Sequence, residues 1–353
     1  MTYHQYSTAG RRMALLCEGK LGTEYAKTAT GVLIWCPQDV VAVIDSTRAG
    51  QDLERIVGFG RGIPIVADMA GAVRRGANQL VIGVATLGGV LGPELRPLIA
   101  EAMRLGCDVV NGLHEMLSSD AELAALAARH GVRIFDLRAV PDDIPCSLNR
   151  AKQVPNKRIL TVGADCAVGK MCTSLALVRE FSRRGLDARF IPTGQTGIMI
   201  AGDGLCIDRA ISDFAAGAAE KIVLDQARHE WLFIEGQGSI DHVSYSGVTL
   251  SLLHGSAPQA LVLCALHSRS GRVHDDGSPL LPLKELVGLY ETISCPVLPA
   301  TVVGVSINTF GLAEADAREE LRRVERDVGL PTTDPLRFGV ENLTGALLSF
   351  FGV

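Results

Sequence analysis

Residues 158–177 read RILTVGADCAVGKMCTSLAL: an apolar run, a glycine-bounded loop ending in Gly-Lys, then a helical pattern. No other stretch constrains the fold as tightly. A strand Arg158–Val162, a GxxxxGK loop from Gly163 to Lys170 and a helix Gly169–Arg184 form the strand–loop–helix unit of a parallel sheet. The glycines let successive backbone N–H groups converge on an anion. The helix N-terminus adds its positive dipole end, and Lys170 adds a full charge. Phosphate binding by Gly163, Gly169 and Lys170 is therefore expected. Asp165, within the loop, belongs to the same site, and Thr173 in the first helical turn is expected to face the phosphates. One position departs from the pattern. The residue after the loop lysine is usually Ser or Thr, whose hydroxyl holds Mg²⁺. Met171 stands there, and a thioether is a poor ligand for a hard cation. The loop should hold a polyphosphate, while the usual apparatus for cleaving ATP is incomplete.

The rest of the chain repeats the alternation of strand and helix. Strands are expected at Val40–Ile44, Pro64–Ala67, Leu80–Val84, Cys107–Val110 and Val132–Asp136, with helices over Leu95–Leu105 and Glu122–Arg129. Short connections between them imply parallel βαβ units. Residues 139–158 carry three prolines and no hydrophobic period, which places a domain boundary near residue 150. Beyond the loop, strands are expected at Ala188–Ile191, Trp231–Ile234, Ala260–Ala265 and Val302–Ile307. Helices follow at Pro282–Ile293, Ala313–Val328 and Glu341–Phe351. The expected fold class is α/β: a Rossmann-like N-terminal domain over 1–150, then a P-loop, parallel-sheet domain over 151–353.

A chain of 353 residues with 47% hydrophobic and 21% charged residues has a sizeable core and is not disordered. A net charge of -5 argues against nucleic acid as a partner. Mean hydropathy is +0.24, but the longest stretch without Asp, Glu, Lys or Arg, His242–Ser268, holds too many polar residues for hydrocarbon. No membrane partner is expected. The apolar run Met13–Cys17 after Arg11-Arg12 is too short for a signal sequence. Nine cysteines, mostly in apolar runs and without a CxxC pair, suit a reducing compartment. The expectation is a cytoplasmic protein. The His and Cys residues show no metal-ligand spacing, so no metal site is expected.

Two further motifs fall at expected strand ends. In WLFIEGQGS, Glu235 closes a buried strand before a glycine-rich turn, a position that points into the crevice at the carboxyl ends of a parallel sheet. There it can bind a metal, orient an amine or act as a general base. In IPTGQTG, Thr193, Gln195 and Thr196 lie between glycines and suit a carboxylate or phosphate. His242, Gln237 and Ser239 belong to the turn after Glu235, His242 as an acid–base candidate. His267 and Arg269 follow the strand Ala260–Ala265 and are candidates for an anionic substrate. Asn308 ends Val302–Ile307 and is a candidate for a nucleobase edge. Asp225 and His229 read as helix surface. In the first domain, Asp45, Ser46, Thr47 and Gly88-Gly89 mark a second candidate crevice.

These residues resemble a known family. GADCAVGKMCTSLAL, PTGQTGIMIAGDG, EGQGSIDHVSYSGVTLSLLHGSAP and VVGVSINTFGL…LPTTDPLRFG are similar to the DUF1611 family, as are STRAG, IGVATLGG, GCDVVNGLHEML and FDLR. The family includes D-glutamate N-acetyltransferases. The resemblance implies acetyl transfer from acetyl-CoA to the amine of a D-amino acid, with D-glutamate the expected acceptor, and with the Gly163–Gly169 amides and Lys170 holding the CoA phosphates. Glu235 is then the expected base and His242 the second choice. Thr193, Gln195, Thr196, Gln237, Ser239 and Arg269 are expected around the substrate carboxylates. GADCAVGK, PTGQTG and EGQGS also resemble dethiobiotin synthetase, and this alternative would need ATP and Mg²⁺; a nucleotide-sensing module is a third reading. The low charge favours a homo-oligomer.

Overall fold

The structure, a computed structural model, describes residues 6–267 and 279–353. It resolves into two compact units, Met1–Pro141 with Gln195–Arg209, and Asp142–Gly194 with Ala210–Val353. The chain thus passes from the first unit at Pro141, ahead of the expected boundary near 150. Residues 195–209, expected in the second domain, belong to the first.

The first unit is built on strands β1 (Met13–Leu16), β2 (Val40–Ile44), β3 (Ile65–Val66), β4 (Gln79–Ile82), β5 (Asp108–Asn111) and β6 (Ile134–Asp136). All pair in parallel in the order β3-β2-β1-β4-β5-β6, the order of the doubly wound dinucleotide-binding sheet. Helices α1 (Lys27–Trp35), α2 (Leu53–Val57), α3 (Met69–Val73), α4 (Leu95–Arg104) and α5 (Ala121–His130) connect them. The strand at the centre, β1, was not expected from its sequence. Its four residues are all buried, and a short buried run carries no period to distinguish it. Capping is legible: Asp120 accepts from the N–H groups of Glu122 and Leu123 at the start of α5, and Gly131 ends it at φ 66°.

The excursion 195–209 joins this unit for two reasons. Ile198, Met199 and Cys206 are buried in one cluster with Val43, Val81 and Val110. Two buried arginines then fix its backbone and side chains. Arg11 donates to the carbonyl oxygens of Met199 and Ile200, and Arg138 bonds Asp208 and, at 2.7 Å, Gln195 Oε1.

The second unit holds β7 (Lys157–Gly163), α6 (Lys170–Arg183) and β8 (Ala188–Ile191). After the excursion with α7 (Gln195–Ala201), it continues with α8 (Ser212–Asp225), β9 (Trp231–Ile234), α9 (Ser246–Ser256) and β10 (Ala260–Leu266). It ends with α10 (Leu283–Ser294), β11 (Thr301–Asn308), α11 (Glu314–Val328), β12 (Thr332–Thr333) and α12 (Glu341–Phe351). Its six strands are again parallel, in the order β12-β11-β10-β7-β9-β8. The chain leaves β7 toward β8 on one side and β10 toward β11 on the other. The topological switch, where such sheets bind ligands, therefore lies between β7 and β10.

Side-chain spacing explains these helices. On α6, Thr173, Ala176, Leu177, Glu180 and Phe181 are buried at intervals of three and four, and Phe181 meets Trp231 and Phe233 edge-on with centroids 4.8 Å apart. Each such aromatic pair contributes about 0.5–1.5 kcal/mol beyond its burial. Charged α11 buries only a seam of Ala317, Leu321 and Val324, and Gly329 caps it at φ 79°. The edge strand β12, two threonines long, had no sequence signal. Among the described residues no helix is long and apolar enough to cross a membrane.

Candidate active site at the P-loop

β7 runs to Gly163 and α6 begins at Lys170, with residues 164–169 as the loop between them. Two residues carry the turn in the left-handed region, Ala167 at φ 56° and Gly169 at φ 106°. At Ala167 a side chain accepts a backbone that L-residues seldom adopt, a cost borne at a loop whose N–H groups must converge.

Lys170 is buried, 7% exposed, and its ammonium does not project into solvent. Nζ donates to the carbonyl oxygen of Asp165 at 2.6 Å and to that of Gly238 at 2.8 Å. Burial pushes its pKa below the usual lysine range, opposed by the Cys166 and Cys264 thiols and by the Asp165 and Glu235 carboxylates. There is no room for a side chain beneath it: a Cβ at Gly163 would stand 2.6 Å from Nζ.

Glu235 follows β9 directly and is 6% exposed. Its Oε2 accepts from the backbone N–H groups of Thr193 at 3.0 Å and Gly194 at 3.2 Å, and the Thr193 hydroxyl donates to the Glu235 carbonyl at 2.7 Å. Gln237 Nε2 donates to the same hydroxyl at 3.0 Å. The ends of β8 and β9 thus hold one carboxylate in one orientation. Gly236 makes this approach possible, because a Cβ there would lie 1.7 Å from the Thr161 carbonyl oxygen of β7.

Asp165 is 1% exposed, and its Oδ1 accepts from Cys166 N at 2.6 Å. His242, fully buried, lies with Nε2 4.0 Å from the same oxygen. The N–H of Ser244 donates to His242 Nδ1 at 3.1 Å, which assigns the ring proton of the neutral form to Nε2, facing Asp165. Tyr245 packs against the ring at 4.6 Å, and burial beside Cys166 and Asp165 raises its phenol pKa.

Several expected residues are placed differently. The Thr173 hydroxyl bonds the Gly169 carbonyl at 3.0 Å and Ser306 Oγ at 2.8 Å, so it ties α6 to β11. Ser239 bonds Asp241 within its own turn. Asn308, at the end of β11, accepts from Phe310 N at 3.0 Å, and His267 Nε2 lies 3.0 Å from the Phe310 carbonyl. Gln195 and Thr196 open α7 in the first unit, where Thr196 Oγ1 lies 3.4 Å from that of Thr28. Arg269 lies outside the described residues. Asp225 is exposed at the end of α8 beside Lys221, as expected, while His229 lies past the helix and pairs with Asp187 at 2.8 Å. In the first unit Asp45 is buried and accepts from Leu21 N and from Thr47, so it closes its own turn.

One contributor escaped the sequence. Tyr290, on α10, is fully buried and donates to the Gly163 carbonyl at 2.7 Å, while Ile240 N donates to its oxygen at 3.1 Å. Burial raises its phenol pKa. A tyrosine among the apolar positions of a helix reads as core, and nothing local marks its partner 127 residues away. Among the described residues no group of three or more His, Cys, Asp or Glu is arranged to hold a metal.

A parallel sheet with this loop at its switch point and a fixed glutamate beside the loop lysine defines a P-loop α/β protein. The chain belongs to the DUF1611 family. Residues 147–344 match its "Domain of unknown function (DUF1611_C) P-loop domain" and residues 46–140 its "Domain of unknown function (DUF1611_N) Rossmann-like domain". A D-glutamate N-acetyltransferase of Tritonibacter scottomollicae is 38% identical over 327 residues, covering 91% of this chain and 94% of that protein. A second protein of that name, from Pseudoalteromonas sp., is 38% identical over 279 residues, covering 78% and 83%. The crystal structure of a DUF1611 family protein from Anabaena variabilis ATCC 29413 matches with a TM-score of 0.92 at 37% identity, covering 96% of this chain and 100% of that one.

Proposed function

We propose that this protein is an N-acetyltransferase that moves the acetyl group of acetyl-CoA to the amino group of D-glutamate. The observation that carries the reading is the activity named for two relatives, each matched over most of its length. The residues at the P-loop suit that chemistry. The amine must lose a proton before its lone pair attacks the thioester carbonyl; a C–N bond then forms, the C–S bond breaks and CoA leaves as its thiol. Glu235, held by two backbone N–H groups, accepts the ammonium proton directly or through water. His242, with its Nε2 proton toward Asp165, is the second acid–base group. No part of this transfer requires a phosphoanhydride to be cleaved, so Met171 in place of the Mg²⁺-binding hydroxyl costs it nothing. None of the nine cysteines forms a disulfide, which suits a cytoplasmic setting.

Purified protein, acetyl-CoA and D-glutamate should release free thiol at a rate that depends on both substrates. Steady release of ADP from ATP with carboxylate and amine pairs, and no thiol release, would overturn the reading in favour of a ligase.

A further inference from the structure

The strands β7 and β9 part before the site begins. Their ladder closes at Leu160 opposite Ile234, short of Gly163, and β9 itself stops at Ile234. Peptide groups beyond that point lose their strand partners, and buried peptide groups still need pairing. Side chains take over from the sheet. The Thr161 hydroxyl accepts from Gly236 N at 3.1 Å. Further out, the Tyr290 hydroxyl donates to the Gly163 carbonyl oxygen at 2.7 Å and accepts from Ile240 N at 3.1 Å. One phenolic oxygen from α10 therefore bridges the last residue of β7 and the turn that follows Glu235.

What this bridge holds is the seat of Lys170. A Cβ on Gly163 would stand 2.6 Å from Lys170 Nζ, 2.8 Å from the Asp165 carbonyl oxygen and 3.0 Å from that of Gly238. Gly163 is thus the floor of the cradle, and its walls are the two carbonyl oxygens that receive Nζ. Asp165 follows Gly163 closely in the chain, and Gly238 closely precedes Ile240, so Tyr290 ties both walls. The ring alone would be served by phenylalanine: Leu286, Tyr290 and Ser294 are the buried positions of α10, each four residues from the last. The hydroxyl is what the bridge needs.

We infer that Tyr290 is a positioning residue of the P-loop site: its hydroxyl fixes the Asp165 and Gly238 carbonyl oxygens relative to each other and so sets where the Lys170 ammonium stands. It acts through Gly163 and Ile240. The placement of Lys170 is independent of the reaction catalysed; its effect on turnover rests on the acetyltransferase reading.

The test follows Lys170 itself in the full chain, by NMR of protein carrying carbon-13 at the lysine Cε, with Lys170→Arg identifying the resonance. In wild type that resonance should titrate below the range of exposed lysines, since burial disfavours the ammonium. In Tyr290→Phe the two carbonyl oxygens are no longer held, water reaches Nζ, and the titration should move up toward the ordinary range. The same variant should lose about tenfold in kcat with D-glutamate and acetyl-CoA, the worth of one hydrogen bond. Arg158→Lys, at the other end of β7, weakens the unit by another route and should leave both the titration and kcat at wild-type values. A wild-type Lys170 that titrates with the exposed lysines would overturn the proposal whether or not any variant folds. So would a folded Tyr290→Phe protein with titration and kcat unchanged, or an equal upward shift in Arg158→Lys. A wild-type protein that acetylates no amino acid would overturn the function, a separate failure, while the titration still decides the role of Tyr290.

Discussion

The ammonium of Lys170 donates to the carbonyl oxygen of Gly238 at 2.8 Å, joining the loop after β7 to the turn after β9. Glu235 opens that turn, so the residue that brings positive charge and the residue that brings negative charge are set by one bond network. Most of the chemical consequences follow from this link.

The first concerns pH. Burial holds the Lys170 pKa below the usual lysine range, so its charge is lost at a lower pH than an exposed lysine would lose it. An anion in the cradle needs the charged form, so affinity should fall as pH rises through that lowered value. Stability of the ligand-free protein should move oppositely: in the same window the unfolded chain binds more protons than the folded one, and stability rises with pH. Phosphate affinity measured calorimetrically from about pH 7 to about pH 10 checks the first sign. Lys170→Arg, which keeps its charge throughout, should flatten the profile.

The second concerns the carboxylate. Glu235→Gln keeps the shape and the acceptor oxygen but cannot take a proton. It should lower kcat by about 10²–10⁴-fold, the usual contribution of a positioned base, with the melting temperature close to wild type. Thr193→Val removes a hydroxyl that donates to the Glu235 carbonyl and accepts from Gln237. It should cost about tenfold in kcat through loss of orientation, with unchanged acetyl-CoA binding.

The third is steric. Gly236→Ala would set a methyl group 1.7 Å from the Thr161 carbonyl oxygen, so β7 and β9 must part. Thr161 also accepts from Gly236 N at 3.1 Å, so the same change breaks that bond. A loss of about 3 kcal/mol or more in the unfolding of the second unit is expected, read by denaturant titration.

The fourth lies under the sheet. Arg158 is fully buried and donates to the carbonyl oxygens of Ala257, Val154 and Asn156, and to the Asn156 side chain. Burial pushes its guanidinium down to about 10. Arg158→Met leaves several carbonyl groups without a donor and should destabilise the protein by about 2–4 kcal/mol. Arg158→Lys, with a single-headed donor, should recover only part of that loss.

The P-loop unit was legible because its signals are local: Gly163, Gly169 and Lys170 sit within eight residues, and Glu235 ends a run of four buried residues. The α/β class followed from the same alternation throughout the chain. What escaped was long-range. β1 is a four-residue central strand with no period of its own, and Tyr290 meets Gly163 only through the packing of α10. The excursion 195–209 looked like a strand-end turn because PTGQTG is one up to Gly194. Its partners, Arg11 and Arg138, lie in the first unit, and nothing in the motif announces them. Thr173 sits where a first-turn hydroxyl could face a ligand, yet Ser306 and the Gly169 carbonyl hold it.

Purified protein should be incubated with acetyl-CoA and, separately, D- and L-glutamate, and the products resolved by chiral chromatography with mass detection. N-acetyl-D-glutamate and one CoA thiol for each amide formed are expected, in reactions without ATP. Absence of any N-acetylated product, or a strict requirement for ATP, would contradict the acetyltransferase reading.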